Sequence, residues 1–97
     1  MFKKEKIYDC AFTNCEYLQD DETRQINLEY YLLTNEYSNE FGIEILKKEV
    51  DMNGIENIET AIVQNYNNDI NYTKQVIGIL GDNKVTPVTL SEVLQEI

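Results

Sequence analysis

Histidine and tryptophan are absent from this chain, and it holds one proline, one arginine, two cysteines and four glycines in 97 residues. Each shortage narrows the chemistry. Without histidine, the commonest general base and transition-metal ligand is missing. Cys10 and Cys15 stand at C-x4-C spacing with no second pair, short of a zinc site. Strand alternation would also set them on opposite faces, so free structural thiols are expected rather than a disulfide or a redox pair. Ser38 and Ser91 are the only serines, and neither sits in a nucleophile motif. The glycines are scattered, which leaves no loop to cradle phosphate. Neither a metal nor a cofactor is expected. Long apolar runs are missing too. Met1–Phe12 has basic residues but no apolar stretch of signal-peptide type, and Val76–Leu80, broken by Gly78, is far too short to span a bilayer. The expectation is a cytoplasmic protein without membrane contact.

Acid is what the chain has in surplus. Eighteen Asp and Glu oppose eight Lys and Arg for a net charge of −10, although Lys3, Lys4 and Lys6 gather at the N-terminus. Such a surface repels nucleic acid and anionic lipid, and could attract a basic protein groove. Solubility alone also accounts for it. Hydrophobic residues at 42%, with seven Tyr and three Phe, indicate a globular chain, and the length suits a single domain over residues 1–97. Abundant Asn, Ile, Lys and Tyr, all with AT-rich codons, suggest a low-GC bacterium or its phage.

Periodicity divides the chain into strands and then helices. Strand one is expected over Lys6–Tyr17, with Tyr8, Cys10 and Phe12 on one face, followed by a charged turn at Gln19–Thr23. Ile26, Leu28, Tyr30 and Leu32 alternate with Asn27, Glu29, Tyr31 and Leu33 in strand two. After a polar loop at Asn35–Glu40, strand three carries Phe41, Ile43 and Ile45 against Gly42 and Glu44. Asn53-Gly54 predicts a two-residue type I′ hairpin into a fourth strand at Ile55–Gln64. Asp51–Gly54 only superficially looks like a calcium loop, lacking the distal Glu. A loop at Asn65–Asn71 opens a helix, with Asp69 or Asn71 as N-cap. Its apolar stripe is Tyr72, Val76, Ile79, Leu80 or Thr73, Val76, Ile77, Leu80, and Gly81 suits the C-cap. Beyond Thr86-Pro87, Thr89 and Glu92 form a predicted capping box for a short helix bearing Leu90, Val93, Leu94 and Ile97. The sum is α+β: a four-stranded antiparallel meander with two C-terminal helices on one face, ββββαα.

Candidate sites are few. Glu29 and Glu44 would lie on the polar faces of adjacent strands, where solvated carboxylates are commoner than an acid–base dyad. Tyr30 and Tyr31 must point to opposite faces. Tyr31 and Leu33 on a nominally wet face suggest a second covered side or an interface, where tyrosine is enriched. The predicted surface contacts are therefore Tyr31, Leu33 and Glu44, and the predicted core includes Phe41, Ile43, Ile45, Val76 and Leu80.

The stretch EYYLLTNEYSNEFGIEILKK, Glu29–Lys48, with NKVTPVTLSEVLQEI, Asn83–Ile97, resembles a family of short uncharacterised proteins of clostridia and related Firmicutes. The family's double strand matches Tyr30–Leu32 and Phe41–Ile45 with Lys47; its terminal segment matches Val85-Thr86-Pro87 with Leu90, Glu92 and Val93. Thr89 stands where the family often has His, and Glu92 where it has Asp. The resemblance implies a low-GC cytoplasmic origin and no particular activity.

Three functions compete. The preferred one is a non-enzymatic interaction or regulatory module that binds another protein, or itself as a homodimer, through a sheet face or edge. The second is an acidic decoy occupying the nucleic-acid groove of a basic partner. The third is a small enzyme working through carboxylates, Tyr or a bound metal.

Overall fold

The computed structural model describes residues 2–14, 24–51 and 53–97. Four strands, β1 (Phe2–Asn14), β2 (Arg24–Asn35), β3 (Glu40–Val50) and β4 (Glu56–Asn67), precede helix α1 (Ile70–Asp82). A 3-10 turn (Pro87–Thr89) then leads into helix α2 (Leu90–Glu96). The strands pair antiparallel in the order β1-β2-β3-β4, so β1 and β4 are the edges. This is the predicted ββββαα arrangement. Strand one begins earlier than its pattern suggested, because Lys3–Lys6 pair with Tyr31–Thr34 although they lack strand-like alternation. Cys15 and the turn at Gln19–Thr23 lie outside the described residues, as does the side chain of Phe12.

Alternation sends Ile26, Leu28, Tyr30 and Leu32 of β2 and Ile43 and Ile45 of β3 to one face. There they meet Val76, Ile77 and Leu80 of α1, with Val85 and Leu90 following. Of the two stripes open to α1, the one that is buried is Thr73, Val76, Ile77, Leu80. Phe41 only flanks this core, half-buried. Tyr30 is completely buried, its ring edge-on to Tyr8 at 5.8 Å. Its hydroxyl donates to the carbonyl of Val85 at 2.8 Å, tying the segment after α1 to the middle of the sheet.

Turn and cap chemistry explains the element ends. Asp69 is the N-cap of α1, its carboxylate accepting from the amides of Asn71 and Tyr72. The helix does not stop at Gly81. It continues to Asp82 and closes in a Schellman arrangement, with Lys84 N–H bonded to Gly81 O, Val85 N–H to Leu80 O, and Lys84 at φ 52°. Gly81 is glycine for a packing reason: a Cβ there would collide with the Tyr8 ring. The capping box is not formed either. Thr89 makes no side-chain cap bond, because its hydroxyl turns back to Thr86 across the 3-10 turn.

The β3–β4 connection is longer than a two-residue hairpin. Gly54 N–H bonds Asp51 O, Asp51 N–H bonds Ile55 O, and Gly54 takes the left-handed conformation at φ 78°. The carboxylate of Asp51, accepting from Asn53 and Ile55, stabilises this wider turn. The first three residues of the expected loop after the fourth strand, Asn65–Asn67, are strand as well. β4 runs on to Asn67 through a bulge opposite Gly42, where Asn65 adopts φ 53°. A side chain at position 42 would strike the Val63 carbonyl.

Candidate functional site

The helices occupy one face of the sheet. On the other, Tyr31 pairs with Glu44, Glu44 with Ile62, Leu33 with Gly42 and with Lys4, and Lys6 with Tyr31. A transverse row therefore runs Lys6, Tyr31, Glu44, Ile62, with Leu33, Leu46, Thr60 and Ile58 beside it. Thus Tyr31, Leu33 and Glu44, the predicted surface contacts, share one patch.

Their exposure differs from the expectation. Leu33 is only 8% exposed and Glu44 7%, while Tyr31 is half-buried. Cover comes from a residue distant in sequence. The Lys4 ammonium sits 4.2 Å above the centre of the Tyr31 ring and contacts the two Glu44 carboxylate oxygens at 3.1 and 3.2 Å. The large exposed apolar side chains of this face are on the edge strand: Ile58 at 55% and Ile62 at 53%. Sequence reasoning did not single these out. Their signal was present in Ile58, Ala61, Ile62 and Val63, where a strand alternating cleanly between core and water would show apolar residues of one parity only.

Asp9, Glu29 and Glu44 on this face are each paired with a lysine. Glu29 lies 3.6 Å from Lys6 and 3.9 Å from Lys48, and Lys6 also reaches Asp9 at 3.2 Å. The hydrogen bond and charge of Asp9 lift the Lys6 ammonium above its ordinary pKa. One Glu29 oxygen, Oε2, is buried without a hydrogen bond; Lys48 is its ion-pair partner but stands beyond hydrogen-bonding distance. Glu29 and Glu44 occupy separate ion pairs rather than facing each other as a dyad. A shallow cleft of about 300 Å³ lies along Asp9, Asn27, Glu29 and Lys48. A wider one of about 520 Å³ runs between Lys84, Thr86, Thr89 and Glu92.

On the helix side, Cys10 is half-buried, and burial raises its thiol pKa. The thiolate, the reactive form, is correspondingly scarce at neutral pH. Burial likewise raises Tyr8, assisted by a hydrogen bond to Asp82. Among the described residues, no three His, Cys, Asp or Glu side chains are grouped to hold a metal ion. No helix among them is long and apolar enough to cross a membrane.

Searches among curated proteins and among solved structures found no match to this chain. A family described as of unknown function, DUF6514, matches residues 10–97, from the second half of β1 through β2–β4 and both helices. The chain belongs to that family.

Proposed function

We propose that this protein is a non-catalytic protein-binding module whose contact surface is the sheet face turned away from the helices. The observation that carries this reading is the pair of exposed apolar side chains Ile58 and Ile62 on that face, in one patch with the half-buried Tyr31 across the ion-paired Glu44, in a chain of net charge −10. Exposed apolar surface rimmed by charge favours a protein partner. The ion pairs frame the row. With Lys4 on Glu44, and Lys6 and Lys48 on Glu29, the face presents paired charges rather than a rank of carboxylates at phosphate-like spacing. That favours an ordinary protein surface as partner over a nucleic-acid groove. The same pairing supports a structural role for the carboxylates rather than acid–base work. The composition and the acidic surface fit the cytoplasm of a low-GC bacterium such as a clostridium.

The test compares capture of a partner by wild-type protein and by Tyr31→Ala. Tyr31 contributes ring area at the centre of the face but does not anchor the core, so the variant should melt close to wild type. One protein that binds the wild type, is displaced by untagged chain and is lost from Tyr31→Ala supports the reading. Equal capture by both proteins sinks it.

A further inference from the structure

The two edges of the sheet are built differently. β1 carries Lys3, Lys4 and Lys6 and a bulge at Ile7, both devices that discourage another strand from adding. β4 has neither lysine nor arginine, proline nor glycine in twelve residues, and Glu56 to Thr60 are exposed without a break. Its hydrogen-bonding phase follows from the turn before it. Asp51 N–H bonds Ile55 O, so in an antiparallel ladder the next residues bonded to β3 are Asn57, Glu59 and Ala61. The N–H and C=O groups of Glu56, Ile58, Thr60 and Ile62 therefore point outward from the sheet edge.

We infer that β4 pairs antiparallel with β4 of a second copy, about a twofold axis at Thr60, to give a continuous eight-stranded sheet. This goes beyond the protein-binding reading, since it uses the strand's edge rather than the centre of the face. The register follows from the side chains. Centred on Thr60, Ile58 lies opposite Ile62 of the second copy and Ile62 opposite its Ile58, while Glu56 meets Gln64 and Glu59 meets Ala61. Two highly acidic chains thus come together with no carboxylate directly facing another. Centring on Glu59 would oppose two glutamates, which destabilises a cross-strand pair. Centring on Ala61 would set Ile58 against Gln64. A twofold β4–β4 contact also closes on itself, whereas adding β4 to β1 of the next molecule would propagate indefinitely.

Sedimentation across a concentration series, with amide hydrogen exchange, tests the pairing. The expected result is a species of twice the 11.4 kDa chain mass. Its Ile58, Thr60 and Ile62 amides should be protected at high concentration and exchange freely on dilution. Thr60→Pro deletes only an outward N–H, a position an edge strand tolerates, so it should give a folded monomer. Should that variant fail to fold, Ile62→Lys provides the second reading and should weaken association at least about tenfold. A wild-type monomer throughout the series, a dimer unaffected by Ile62→Lys or by a folded Thr60→Pro, or open-ended growth would each overturn the inference. Loss of partner capture from Tyr31→Ala with the dimer intact, or the converse, separates this contact from the face.

Discussion

At the scale of single residues, two glycines of α1 make a matched pair. Nothing lies within 4 Å of a Cβ built at Gly78, whereas at Gly81 it would collide with the Tyr8 ring. Gly78→Ala should therefore gain the ordinary helix preference, raising stability by about 0.5–1 kcal/mol. Gly81→Ala receives the same gain but forces the ring aside, and the overpacking term of about 1–3 kcal/mol wins. Urea denaturation of both variants checks the opposite signs. Tyr30 supplies a pH test. Burial raises its pKa above the ordinary value of 10.0, so the fold favours the neutral phenol. That contribution is fully present below about pH 10 and is lost as pH climbs from there toward the raised value, because the unfolded chain gives up the proton first. Denaturation midpoints should be flat on this account at neutral pH and fall above pH 10. Tyr30→Phe strands the Val85 carbonyl and should cost about 1–3 kcal/mol at neutral pH, yet flatten the alkaline decline. Tyr8 and Tyr66, also raised by burial, keep some of the slope.

At the scale of elements, the ion pair between β1 and β3 should be asymmetric. The Glu44 side chain is 10% exposed and that of Lys4 46%. Glu44→Gln leaves a lysine that can turn to water, whereas Lys4→Met leaves a buried carboxylate without its counter-charge. The second should cost more, by about 1–3 kcal/mol, in thermal or urea melts. Short-range patterns made the four strands and both helices legible in the sequence, since alternation and the 3.6-residue stripe depend only on near neighbours. What escaped notice depended on partners far along the chain. Gly81 at a helix end looks like a cap until Tyr8 arrives from β1. Tyr31 and Glu44 look exposed until Lys4 arrives over them from β1. Asn65 inside a polar stretch looks like a loop, because nothing local reveals that Gly42 makes room for a bulge. The candidate face was legible as a set, since Tyr31, Leu33 and Glu44 share one parity across paired strands. Which of its members reach solvent was not, because the side chain over Tyr31 and Glu44 is Lys4, which comes from β1.

At the scale of the whole molecule, coverage is limited by length. A 13-residue helix extends about 20 Å, whereas strands of 11 to 13 residues run about 40 Å. Two short helices can close one side of such a sheet over part of its length and leave the other side to side chains alone. The molecule is accordingly long and thin, 49 × 27 × 17 Å. The hydrogen bond from Tyr30 to the Val85 carbonyl has a consequence for how the chain is made. A ribosome delivers the meander first, hairpin by hairpin, and every strand pairing within it joins strands consecutive in sequence. The oily underside of that sheet then waits for residues 70 to 94, and Tyr30 keeps an unsatisfied hydroxyl until Val85 emerges. During that interval the nascent chain presents two bare surfaces instead of one. A chaperone or a neighbouring nascent copy meets its widest target just before synthesis supplies the helices that halve it.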